Sequence, residues 1–112
     1  MSENDEFRRW GSLVVNCLKN FQEQQDFPVR FVDFEVMPHF DGSADDMWVW
    51  FICARSAETS PFRERCLEEA TNELRKRLLQ REFPESAASS LGTDVTSSEE
   101  IEAGGGRFAY FR

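Results

Sequence analysis

One hundred and twelve residues carrying eleven Phe, three Trp and one Tyr hold enough aromatic surface for one packed core, and 21 acidic against 13 basic side chains leave a net charge of −8. A chain of this length is expected to fold as one domain over residues 1–112, burying roughly two thirds of its unfolded surface without disulfide or metal staples. Phosphate backbones and anionic membranes attract cationic surfaces, so the acidic balance argues against nucleic acid and membrane and favours a basic protein partner.

Cys17, Cys53 and Cys66 are odd in number, form no C-x-x-C pair and sit in apolar patterns, where a thiol packs as a small hydrophobe. The acidic start Ser2-Glu3-Asn4-Asp5-Glu6 is the opposite of a signal peptide. The longest apolar run, Met47–Ala54, falls far short of the about 20 residues that span a bilayer. A cytoplasmic protein without cofactors is the expectation.

Phe7, Trp10, Val14, Cys17, Leu18 and Phe21 recur at three- and four-residue steps and predict an amphipathic helix, with Arg8, Arg9, Ser12, Asn16 and Lys19 on its polar side. Ser2 is the expected N-cap, the polar run Gln22–Asp26 ends the helix, and Pro28 drives Phe27 towards an extended backbone. Val29–Met37 alternates Val32, Phe34 and Val36 against Asp33 and Glu35 as a half-buried strand, with a phase slip at Phe31-Val32 of the kind a bulge produces. Met47–Arg55 predicts a second strand that is apolar on both faces. Trp48, Trp50 and Ile52 share one face, and Met47, Val49, Phe51 and Cys53 share the other. Pro38–Asp46 between them reads as a long hairpin loop.

Thr59-Ser60-Pro61 announces a second helix, with Ser60 as N-cap and Pro61 at the first helical position. Its stripe is Phe62, Cys66, Leu67, Ala70, Leu74 and Leu78, and Arg75, Lys76, Arg77 and Arg81 gather at the C-terminal end of the dipole before Pro84 stops it. Pro84–Ser90 suggests a short turn of helix, and Leu91–Ser97 a third strand with Val95 its one strong strand former. Ser97 and Glu100 have capping-box spacing, Gly104–Gly106 reads as a flexible reversal, and Phe108–Phe111 as a final strand. The sum is an α+β two-layer sandwich of order α-β-β-α-β-β: an antiparallel four-stranded sheet with two helices on one face and the other face open.

Candidate sites are few. The loop from His39 through Asp41 to Asp45 and Asp46 holds the one His among acidic residues, but it lacks the alternate oxygen ligands and twelfth-position Glu of an EF-hand, and turn chemistry explains its composition. Gly104–Gly106 lacks the following helix and the Lys of a phosphate loop. The basic end of the second helix is interleaved with Glu73 and Glu82 and has no stacking platform, so it reads as a solvated helix end.

The doubly apolar strand stands apart, because the helices cover only one of its faces. The uncovered face marks an interface, unless the hairpin loop or residues 84–97 fold over it. The reading is therefore a non-enzymatic protein-interaction domain, a homodimer through the open sheet face being one form, with Trp48, Trp50, Ile52 and Tyr110 as interaction residues. A small-ligand binder or minor enzyme using the 39–46 loop is the alternative, and nucleic-acid binding through the second helix a distant third.

Overall fold

The computed structural model describes residues 3–37 and 45–111, with side chains from residue 9 onward. Ser2, the side chains of Phe7 and Arg8, and the loop residues His39 and Asp41 lie outside that description. Helix α1 spans Glu3–Gln24 and buries Trp10, Val14, Cys17, Leu18 and Phe21, leaving Arg9, Ser12, Asn16 and Lys19 exposed, as the periodicity requires. The polar run after it turns back on the chain. Gln25 is buried, donates from Nε2 to Phe31 O at 2.7 Å and accepts from Phe31 N at 3.1 Å. One amide thus satisfies both backbone groups of a buried Phe.

Strands β1 (Asp33–Met37), β2 (Trp48–Cys53) and β3 (Gly92–Ser97) form a three-stranded sheet in the order β1-β2-β3. β1 and β2 pair antiparallel, with Asp33 opposite Ile52. Val32, just before β1, also donates from N to Ile52 O at 2.8 Å, so Val32 and Asp33 both lie opposite Ile52. That bulge lets Phe31 and Phe34 both face the core, the phase slip that the sequence carries.

β2 and β3 pair parallel. The sheet is therefore mixed and three-stranded, where the sequence pattern implied four antiparallel strands. The physical reason lies in the connection. Between β2 and β3 run a 3-10 turn (Ser56–Glu58), α2 (Thr59–Arg65), α3 (Leu67–Leu79) and α4 (Glu85–Ser90), a helical crossover that returns the chain to the end where β2 began. Parallel neighbours require such a crossover. The fourth expected strand is instead a helical turn, α6 (Arg107–Tyr110), which follows α5 (Ser98–Ala103).

Three local details also differ from the sequence pattern. The second helix breaks at Cys66 into α2 and α3, although hydrogen bonds from Cys66 N to Phe62 O and Ala70 N to Cys66 O carry the ladder across. Thr59 opens α2, so Ser60 and Pro61 are its second and third residues, where the missing Pro N–H costs no bond. α3 ends at Leu79, before Pro84, because Glu82 adopts a left-handed φ of 64° and turns Phe83 inward against Trp10, ring centroids 5.5 Å apart. Ser97 caps α5 as its spacing implies, its Oγ accepting from Glu100 N at 3.1 Å.

The helices α1, α2 and α3 cover the sheet face carrying Val49, Phe51, Cys53 and Val95, and Phe21, Phe31, Phe51 and Phe62 pack there edge to face or tilted. All three cysteines are free and buried in this layer. Burial, with Glu58, Cys66 and Glu100 nearby, pushes the Cys53 thiol up from 9.0 to about 12; burial likewise raises Cys17, against the opposing fields of Arg81 and Arg77. A raised thiol pKa keeps the nucleophilic thiolate scarce. The native protein is therefore expected to leave DTNB unreacted at pH 8 and to release three equivalents once unfolded. Because an unfolded thiol ionises near 9.0, Cys53 favours the fold below that pH and loses this contribution between 9.0 and about 12.

Candidate functional site

Register fixes what the second sheet face presents. Reading from β1 through β2 to β3, its rows are Asp33-Ile52-Thr96, Glu35-Trp50-Asp94 and Met37-Trp48-Gly92. No long helix lies here. Among the described residues, cover comes from the C-terminal segment and not from residues 84–97; residues 38–44 of the hairpin loop, the other expected cover, lie outside the described residues.

At the covered end Ile52 is 1% exposed, so it leaves the accessible interaction set in which the sequence placed it. It sits beside buried Thr96, whose Oγ1 donates to Glu100 Oε2 at 2.8 Å and lies 2.7 Å from the Tyr110 hydroxyl. Tyr110 is thus on α6 and tied by its polar tip, where a terminal strand was expected. Phe111 leans on Trp50, ring centroids 5.8 Å apart, and on Tyr110 at 5.0 Å. A helical turn accounts for this arrangement. Residues three and four apart share a side, so Arg107, Tyr110 and Phe111 all reach the sheet together.

Arg107 completes the attachment. Its Nη1 donates to Asp33 Oδ2 at 2.7 Å, its Nε to Glu35 Oε2 at 2.5 Å, and its Nη2 to the backbone oxygen of Phe34. Partial burial alone lowers the guanidinium pKa, but the bonds to Glu35 and Asp33 outweigh it and hold the group charged. The alternation of Asp33 and Glu35 was visible in the sequence as the outward side of β1. Nothing there showed that a residue 72 positions away would answer Glu35.

Among the described residues, no segment packs over the other end. Trp48 is 41% exposed and its ring sits against Gly92, where any Cβ would collide with it. Trp50 and Met37 are half-buried beside it, and Met37, Trp50, Tyr110 and Phe111 line a cleft of about 280 Å³. Phe108 on α6 is 85% exposed. The result is an aromatic shelf of Met37, Trp48 and Trp50, with Glu35, bonded to Arg107, beside Trp50.

The other candidates resolve differently. Asp45 and Asp46 are exposed at a turn, Asp46 with a left-handed φ of 58° and its N–H on Ser90 Oγ at 3.3 Å. Among the described residues no group of three His, Cys, Asp or Glu is placed to hold a metal ion. No helix among them is long and apolar enough to cross a membrane. The basic end of α3 is divided. Arg75 donates to Ala88 O at 3.0 Å and Leu91 O at 3.1 Å, and Arg77 pairs with Glu73 at 2.9 Å while its guanidinium covers Phe21 at 5.1 Å. A polar groove of about 450 Å³ between α1 and α3 is lined by Asn20, Gln24, Lys76, Gln80 and Arg81. The chain matches no family model, no curated protein and no solved structure.

Proposed function

We propose that this chain is a non-enzymatic, cytoplasmic protein-binding module that docks its partner on the shelf formed by Met37, Trp48 and Trp50. The observation that carries the reading is Trp48: a large ring left 41% exposed on a sheet face, set against a glycine and flanked by a second tryptophan. Tryptophan is enriched where partners bury most of their binding energy, and clustered exposed apolar surface marks such sites. The net charge of −8 favours a partner that carries cationic side chains. Free, unpaired thiols fit a reducing compartment. A net charge of −8 on each copy opposes self-association, so a homodimer is the secondary form of the reading.

Paired capture tests it. Wild type and Trp48→Ala are immobilised and exposed to native extract, with circular dichroism confirming that both melt alike. A partner retained by wild type and depleted about tenfold or more by the variant, the equivalent of about 1.4 kcal/mol, is the expected result. Identical protein sets on both surfaces would count against the shelf as a docking site.

A further inference from the structure

We propose that residues 107–111 are a displaceable strap that occupies the docking face in cis, with Arg107 filling an acidic notch that a partner's arginine fills in trans; this rests on the docking reading above.

The strap is held by side-chain tips. Arg107 bonds Asp33, Glu35 and the Phe34 carbonyl, Tyr110 bonds Thr96, and Phe111 touches Trp50. No residue of α6 is buried, and a four-residue helix has no stability of its own. The ionic latch is half in water, with the Arg107 and Asp33 side chains 44% and 50% exposed, where salt screens it.

The connection suits detachment. Gly105 and Gly106 take φ of 95° and 97°, a backbone region open to glycine. Gly104 N and Gly106 N close α5 by bonding Glu100 O and Ile101 O, so α5 keeps its own C-terminal bonds when α6 leaves. Departure uncovers Trp50, both carboxylates and the Phe34 carbonyl on the free edge of β1. What fits that vacated surface is the chemistry of the strap itself: an arginine fork for two carboxylates and a carbonyl, followed three or four residues later by an aromatic ring. A partner segment with that spacing competes with the strap directly, and its binding is coupled to strap release.

The probe is a synthetic peptide with the sequence of residues 105–112, titrated against the full chain by fluorescence anisotropy, with hydrogen exchange run on the same samples. Arg107→Ala should bind the peptide about tenfold more tightly than wild type, a difference of about 1.4 kcal/mol. Adding Asp33→Asn and Glu35→Gln should abolish that gain, and Arg107→Lys, which keeps charge without the fork, should fall between. The α6 amides of wild type should exchange by local opening, faster at high salt, while Val49, Phe51 and Leu74 amides stay protected. Peptide binding no tighter to Arg107→Ala than to wild type, or α6 amides exchanging only with the core, would overturn the proposal. Failure here leaves a Trp48-dependent partner untouched, whereas peptide binding without any such partner would preserve the strap and remove the docking reading.

Discussion

Phe51→Ala is expected to lose about 3–5 kcal/mol of stability, several times the loss from the adjacent Trp50→Ala. Phe51 is fully buried, with its ring 4.9 Å from Phe31, 5.7 Å from Phe62 and 6.5 Å from Phe21. Truncating such a residue removes its transfer free energy and leaves a cavity between α1, α2 and the sheet. The cost is about 3–5 kcal/mol, against a total of about 5–15 kcal/mol for a small domain. Trp50 points to the opposite face and loses chiefly its contact with Phe111, worth about 1 kcal/mol. Urea denaturation of both variants measures the difference. Equal losses would mean that the second face is as firmly packed as the first.

Arg75→Ala carries the second large effect, about 2–3 kcal/mol of stability, whereas Lys76→Ala should stay within about 0.5 kcal/mol of wild type. In the sequence the two are neighbours in one basic cluster. In the fold, Arg75 spans from α3 to the carbonyls of Ala88 and Leu91, which end α4 and lead into β3. Removing it leaves the Leu91 carbonyl without its charged donor and the Ala88 carbonyl with only the long bond from Leu91 N at 3.4 Å. Lys76 is exposed. Thermal melts of the two single variants check the contrast, and a similar small shift for both would show that Arg75 does not clamp the crossover.

How much of this was legible follows from the range of each interaction. The stripes of α1 and α3 repeat over several turns, so Trp10 through Phe21 and Phe62 through Leu78 could be placed in the core from spacing alone. The slip at Phe31-Val32 was equally local. β3 was hard to read because Gly92-Thr93-Asp94 offers little strand preference, and its pairing depends on a helical crossover that no local pattern encodes. Phe108–Phe111 misled for a different reason. Four consecutive residues fit either period, and contacts decide the outcome: Arg107 to β1, Tyr110 to Thr96 and Phe111 to Trp50. The candidate site inherits the same division. Trp48 and Trp50 were visible as one face of β2, while the burial of Ile52 and the roles of Asp33, Glu35 and Arg107 depend on a chain segment that returns from far away in sequence.

The central claim, that partners dock on the tryptophan shelf, is tested most directly by site-specific photo-crosslinking. A benzophenone amino acid is placed at position 94, which pairs with Trp50 on the same sheet face, and, in a second protein, at Lys19 on the exposed side of α1. Both are illuminated in native extract. The docking account predicts a discrete crosslinked protein from position 94, suppressed by excess unlabelled wild type, and none from position 19. A discrete adduct from position 19 with nothing specific from position 94 would contradict it.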